Sequence, residues 1–243
     1  MTGMTHVAAP RPGWLLDEVA SAGRENLDAG HVARYDDKED AGAAAEVALL
    51  QQRGLSADSV VVDMGAGTGQ FTLAVAPVCG RVVAVDVSPV MLERLRDKTA
   101  AAGLPNVDVV RAGFLSYEHQ GEPADVVYSR YALHHLPDAW KAVALTRMHD
   151  VLRPGGLLRL WDVVYDFPPA DAAARFEAWC ATGAGGGVEQ GDWSRGEYEE
   201  HIRDEHSTFT WLLEAMLERS GFAVEEHLHS DDGMFAKYLL RAR

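Results

Sequence analysis

The chain has 243 residues, of which 47% are hydrophobic, and its formal net charge at pH 7 is −15. This length and apolar content are enough for one substantial core, or for one domain with a cap. An acidic surface without a Lys/Arg cluster argues against nucleic-acid binding and against binding to anionic membranes, so we expect a small neutral or cationic partner.

The sequence also favours a reducing compartment. Residues 1–12 lack the charged and apolar regions of a secretory signal, and no run of about 18 apolar residues predicts a transmembrane helix. The two cysteines, Cys79 and Cys180, are too few for a disulfide framework, so we expect both as buried free thiols. We therefore expect a cytoplasmic protein.

The first chemical motif is a glycine-rich loop that follows a short strand. Residues 60–62 are three valines, which favour a strand buried on both faces of a parallel sheet. Gly65, Gly67 and Gly69 follow, and glycines let the chain turn sharply and a ligand approach the backbone. Asp86 ends the next predicted strand about 20 residues beyond the loop, where an acid commonly binds ribose hydroxyls. An aspartate at a strand end can also be a helix cap.

The spacing of the loop distinguishes two classes of nucleotide ligand. The dinucleotide fingerprint Gly-x-Gly-x-x-Gly does not fit, because Gly69 arrives one residue early and Gln70 follows it. Asp63 precedes the loop, and its charge would repel a pyrophosphate but attract a ligand ammonium. The segment resembles motif I of the class I S-adenosylmethionine-dependent methyltransferases, Asp/Glu-x-Gly-x-Gly-x-Gly, whose ligand carries an ammonium and a sulfonium and no phosphate.

Two further segments extend this resemblance over residues 59–165. Residues 129–138, Ser-Arg-Tyr-Ala-Leu-His-His-Leu-Pro-Asp, resemble the segment after the fourth strand in the small-molecule and ubiquinone-biosynthesis type of class I methyltransferase. Leu-Arg-Pro-Gly-Gly at residues 152–156 is another motif of that group. The Asp-Pro-Pro-Tyr motif expected of enzymes that methylate the amino groups of nucleic-acid bases is absent. The resemblance therefore implies an enzyme that methylates a small molecule.

The resemblance and the order of apolar segments predict an α/β fold, a Rossmann-like seven-stranded and mostly parallel sheet with helices on both faces and an antiparallel last strand. Residues 1–55 are predicted to form a helical leader or lid, and residues 56–243 the methyltransferase domain. Within that domain, residues 166–210 are interpreted as an acidic substrate cap, or else as a solvated helical face. Strands are expected at residues 60–62, 81–85, 107–110, 124–128, 157–164, 222–229 and 234–241.

The resemblance implies S-adenosyl-L-methionine as the cofactor, with Asp63 receiving its amino group and Asp86 its ribose. In the family an acid usually follows the glycine after the third strand, but here Phe114 follows Gly113. Phe114 could stack on adenine or belong to the core, and Tyr35 could contact the cofactor or pack the leader onto the body. The expected cofactor contacts are Tyr35, Asp63, Gly65, Gly67, Gly69, Asp86, Val87, Gly113, Phe114 and Ser129.

A sulfonium is already an activated methyl donor, so the protein mainly has to align the acceptor atom, the methyl carbon and the sulfur. An acceptor that must lose a proton also needs a base, and the candidates are Tyr131, His134 and His206. A histidine satisfied by backbone hydrogen bonds is the alternative. The pair His134 and His135 is not predicted to bind a metal, because adjacent positions do not share a helix face and no ligand spacing accompanies them.

Two other functions fit parts of the sequence. A regulator that binds the cofactor without transferring a methyl group would have the same loop, because the acceptor site has no signature. A nicotinamide-dependent oxidoreductase has a similar topology, but Asp63 and the misplaced third glycine argue against it. The sequence names neither the acceptor nor the methylated atom (O, N, C or S), and a homodimer through the leader or cap is one arrangement that it allows.

Overall fold

The computed structural model describes residues 12–23, 42–183 and 193–243, so Tyr35 lies outside the described residues. The strands are β1 (Val60–Met64), β2 (Arg81–Asp86), β3 (Val107–Arg111), β4 (Ala124–Arg130), β5 (Leu152–Tyr165), β6 (Thr208–Phe209), β7 (Phe222–His229) and β8 (Phe235–Ala242). The helices are α1 (Ala43–Gln52), α2 (Gln70–Val75), α3 (Pro89–Ala101), α4 (Asp138–Val151), α5 (Ala172–Thr182), α6 (Arg195–Asp204) and α7 (Thr210–Arg219).

Seven of these strands follow one another across the sheet in the order β3-β2-β1-β4-β5-β8-β7, and the two-residue β6 pairs with β5. Neighbours from β3 to β5 are parallel, whereas β8 runs antiparallel to both β5 and β7. The predicted fold, with its antiparallel last strand, is confirmed. The strand order reverses between β1 and β4, and ligands of such sheets bind outside the carboxyl ends of the strands at this switch point.

Helices cover both faces of the sheet. Successive residues of a strand point to opposite faces, so neighbouring apolar residues pack against different helices. Val62 of β1 packs in a core with Leu145 of α4, whereas its neighbour Val61 packs on the other face with Leu50 of α1. All four of these side chains are fully buried, at 0% exposure. The continuous valine run of β1 is therefore explained by burial on both sides.

Strand β5 is longer than predicted, because its pairing starts before the Pro-Gly-Gly run. Leu152 pairs with Ala124 and Leu157 with Val126, so residues 153–156 bulge between two paired positions. Of the described helices, none is long and apolar enough to cross a membrane. Both cysteines are free and buried, as predicted.

The segment after β5 packs on the sheet through aromatic side chains. Tyr165, Phe167 and Trp179 form a buried cluster with Met234. This cluster joins α5 and the start of the 166–210 insert to the ends of β5 and β8. The described part of residues 166–210, called the insert below, therefore contacts the sheet through these aromatic side chains.

Candidate functional site

A cleft that is open to solvent lies at the switch point between β1 and β4. Seven of the residues singled out in the sequence line it, namely Gly65, Gly67, Asp86, Val87, Gly113, Phe114 and Tyr131. Glu18 and Arg130, two polar residues that the sequence analysis did not select, line it as well, together with His135.

Each of the three glycines in the loop is required for a different structural reason. All three have positive φ, with values of 74° at Gly65, 54° at Gly67 and 88° at Gly69. A Cβ at Gly65 would lie 2.3 Å from the Cβ of Ala132, and one at Gly69 would lie 2.0 Å from Leu95 Cδ1. A Cβ at Gly67 would meet nothing within 4 Å. Gly67 is thus the position at which a ligand can reach the loop, whereas Gly69 packs the loop onto α3.

Asp86 ties the glycine loop to the start of α3. Its Oδ2 accepts a hydrogen bond from Gly67 N at 2.9 Å, and its Oδ1 accepts one from Ser88 N at 2.8 Å. A carboxylate offers about four acceptor positions, so Asp86 keeps capacity for ligand hydroxyls at the cleft wall. Burial raises the pKa of Asp86, and the backbone donors of Ser88 and Gly67 oppose that rise.

Asp63 lies behind the loop and not on the cleft wall. Its Oδ2 accepts a 2.6 Å hydrogen bond from Thr72 Oγ1, and its side chain is buried. Burial raises its pKa to about 7, although the hydrogen bond from Thr72 lowers it. Asp63 does not line the described cleft, and its predicted contact with a ligand amine stays a prediction. Its carboxylate anchors the first turn of α2 through Thr72, and so supports the shape of the glycine loop.

The loop after β3 receives its carboxylate from the N-terminal segment. Glu18 is 5% exposed, and its Oε1 accepts a 2.9 Å hydrogen bond from Leu115 N. Its Oε2 accepts a 2.8 Å hydrogen bond from Ser116 Oγ. A Cβ at Gly113 would lie 2.3 Å from Glu18 Oε1. An acid therefore sits where the Gly113-Phe114 turn lacks one, although it comes from almost a hundred residues earlier in the chain.

The end of β4 carries the strained residue of the site. Among the described residues, Tyr131 is the only non-glycine with a positive φ, at 50°. Such backbone costs about 1–3 kcal/mol and clusters at functional sites. The Arg130 guanidinium lies 4.7 Å from the Tyr131 ring and 4.1 Å from that of Trp161. Ser129, a predicted cofactor contact, is fully buried inside β4 and does not line the cleft.

The two adjacent histidines have separate environments. His135 lines the cleft, whereas His134 is 6% exposed and lies behind it. Burial would lower the pKa of His134, but Asp162 and Glu205 outweigh it and raise the pKa to about 10. His134 lies behind the cleft and is held by two carboxylates, so its role as a base stays a prediction. His135 occupies the place in the cleft that this prediction required.

His134 belongs to a buried polar network with the insert. Its Nδ1 is 2.5 Å from Asp162 Oδ1, and its Nε2 is 3.0 Å from Glu205 Oε2. His201 of α6 also contacts the Glu205 carboxylate. The network links the loop after β4 to α6.

His206, the third predicted base, lies outside the cleft. Its side chain is exposed. Its backbone N–H donates to His134 O at 2.9 Å, and its carbonyl accepts a hydrogen bond from Lys141 Nζ. The contribution of His206 visible in the structure is to attach the insert to the body.

Comparisons with known proteins agree with this geometry. Residues 61–156 match a family model described as a methyltransferase domain. The ubiquinone/menaquinone biosynthesis C-methyltransferase UbiE of a Marinomonas species is 32% identical, over 45% of this chain and 44% of that protein. The chain spans about half the length of the curated relatives it matches.

Two solved structures share the fold. The N-methyltransferase NodS of Bradyrhizobium japonicum, in complex with S-adenosylhomocysteine, has a TM-score of 0.63 at 19% identity and covers 93% of this chain and 99% of its own. The [4+2]-cyclase SpnF has a TM-score of 0.61 at 17% identity and covers 82% of this chain and 80% of its own. Residues 61–156 thus match a methyltransferase domain, and the chain has the fold of these two solved structures.

Proposed function

We propose that this class I methyltransferase-domain protein transfers the methyl group of S-adenosyl-L-methionine to a small-molecule acceptor by direct displacement. The observation that carries the proposal is the cleft at the β1/β4 switch point. There, Gly67 leaves open space beside the Asp86 carboxylate. Open backbone next to a fixed acceptor suits a ligand with a ribose, and the ligand class follows from the family of the domain.

Each end of the cleft suits one part of the cofactor. Gly65 and Gly67 would line its methionine end, and Asp86 would accept hydrogen bonds from its ribose hydroxyls. Glu18 would face the adenine amino group, taking the role of the acid that is absent after Gly113. Asp63 would act by holding the glycine loop, since its carboxylate contacts Thr72 and not the cleft.

The acceptor would lie beside Tyr131 and His135, two cleft side chains after β4 that can both donate and accept hydrogen bonds. The cofactor supplies an activated methyl group when bound, so alignment of the acceptor is the chain's main task. Residues 166–210 would form the substrate cap, and the leader the lid. The two buried free thiols support the cytoplasm as the compartment.

Incubation of the protein with S-adenosyl-L-methionine and fractionated small-molecule extracts tests this proposal. We expect S-adenosyl-L-homocysteine to accumulate with one fraction, and Tyr131→Phe and His135→Asn to lower turnover more than they lower cofactor affinity. Exposed Glu200→Gln serves as the control. Cofactor binding without turnover in any fraction would favour a non-transferring binder, and the absence of binding would exclude both.

A further inference from the structure

Two buried histidines and one partly buried glutamate converge where the insert meets the sheet. His134 follows β4, His201 lies on α6, and Glu205 follows α6. One donor atom from each lies within 4.8 Å of the other two. His134 and His201 are 6% and 4% exposed. The residues come from two segments more than sixty positions apart, so their proximity depends on the packing of the insert.

The outer nitrogen of each imidazole has its own partner. His134 Nδ1 is 2.5 Å from Asp162 Oδ1, and Asp162 also accepts the backbone N–H of Leu133 at 2.8 Å. His201 Nε2 is 2.9 Å from Ser207 Oγ. These contacts leave His134 Nε2 and His201 Nδ1 as the nitrogens that face the centre. Metal-binding histidines almost always have such an outer hydrogen bond, because it fixes the tautomer and the orientation of the ring.

One oxygen of the central carboxylate lies in close contact with both imidazoles. Glu205 Oε2 lies 3.0 Å from His134 Nε2 and also contacts His201 Nδ1. In the described residues this buried oxygen nevertheless has no hydrogen-bond partner of acceptable geometry. A cation placed among the three atoms would supply the missing interaction, and this orphaned oxygen points to one independently of the residue types.

We propose that His134, His201 and Glu205 bind one divalent first-row transition-metal ion, with Zn²⁺ as the reference, and that this ion fastens the insert to the sheet. Two imidazoles and a carboxylate are a ligand set for such ions, whereas Mg²⁺ and Ca²⁺ prefer oxygen alone. The charges also balance, since the dication offsets the two carboxylates of Asp162 and Glu205. The site lies directly behind His135, whose ring centroid is 4.3 Å from that of His134.

The whole chain, freed of metal with a chelator, should be titrated with Zn²⁺ and then assayed for metal content after dialysis. We expect one ion per chain and a rise in melting temperature. Glu205→Gln and His201→Ala should lose stoichiometric binding, and Asp162→Asn should weaken it about 10- to 100-fold. The matched controls Glu200→Gln, on the exposed side of α6, and His227→Ala, on β7, should bind as the wild type does.

Two results would overturn the proposal. One is the failure of wild-type protein to retain Zn²⁺, in which case the cluster is a network of imidazolium and carboxylate groups. The other is full binding by Glu205→Gln and His201→Ala. If these variants do not fold, X-ray absorption on the wild-type Zn²⁺ form decides, since we expect only nitrogen and oxygen ligands at about 2.0–2.2 Å and a sulfur ligand would refute the site. Binding of S-adenosyl-L-homocysteine, measured on the same samples, keeps this test separate from the proposed function.

Discussion

Replacing Glu18 tests whether the N-terminal segment completes the cleft. Glu18→Gln keeps an oxygen for Leu115 N and places an amide against Ser116 Oγ, a hydroxyl that can accept a hydrogen bond. We therefore expect the free energy of unfolding to change by no more than about 1 kcal/mol. Loss of the charged acceptor should weaken binding of S-adenosyl-L-homocysteine by about 1.5–3 kcal/mol, which is roughly 10- to 100-fold.

Glu18→Ala should have a different signature. It removes both acceptors and leaves two donors, Leu115 N–H and Ser116 O–H, at a cost of about 1–3 kcal/mol for each donor that water does not reach. Urea unfolding should report this loss, and calorimetry the loss of affinity. Asp17→Asn is the control, because Asp17 is exposed and its Oδ1 accepts the backbone N–H of Val19, which an amide oxygen can still do. Unchanged affinity in Glu18→Gln would refute a ligand contact and leave Glu18 a purely structural role.

Three further predictions follow from individual contacts. Gly67→Ala should fold and lose cofactor affinity, because its Cβ meets nothing within 4 Å and only the positive φ opposes it, at about 1–2 kcal/mol. Gly69→Ala adds a clash with Leu95 of α3 to the same backbone strain, so it should unfold at a lower urea concentration than Gly67→Ala. Equal urea midpoints for the two variants would contradict this. Glu46→Ala should lower the free energy of unfolding, measured in urea, by about 3–5 kcal/mol, because it leaves the buried Arg159 charge without the carboxylate to which it donates two hydrogen bonds. The same loss from the exposed Glu200→Ala would contradict this reasoning. The pKa of Asp63 is raised in the folded state, to about 7 from 3.8, so the stability that its neutral form contributes is complete below pH 4 and is lost as the pH rises from about 4 to about 7. Asp63→Asn should therefore flatten that part of the profile of unfolding free energy against pH. An unaltered slope would show that Asp63 does not titrate in this range.

The parts of the site that sequence analysis could predict are local. Gly65, Gly67 and Asp86 belong to one βαβ unit, in which a turn and a strand end are fixed by residues close in the chain. Their spacing therefore carries their geometry. The same reasoning succeeded for the valine run of β1, because burial on both faces leaves a pattern that can be read in the sequence itself.

The parts that it missed depend on contacts between distant segments. Glu18 reaches the turn at Gly113 from the N-terminal segment, and no rule of sequence spacing connects the two residues. His201 and Glu205 meet His134 only because α6 packs on the sheet, so the adjacent pair His134 and His135 showed no ligand spacing. Asp63 has the expected residue type, but its carboxylate faces Thr72. The packing of side chains determines this orientation, and spacing in the sequence does not show it.

Calorimetric titration of S-adenosyl-L-methionine into the wild type, Asp86→Ala and the control Asp97→Ala tests the central claim most directly. Asp97 is an exposed acid on α3. We predict that Asp86→Ala weakens binding by about 1.5–3 kcal/mol, roughly tenfold or more, because it removes a charged acceptor for the ribose and the support of Gly67. The control should bind as the wild type does. No binding by the wild type, or equal affinity in Asp86→Ala, would contradict the account.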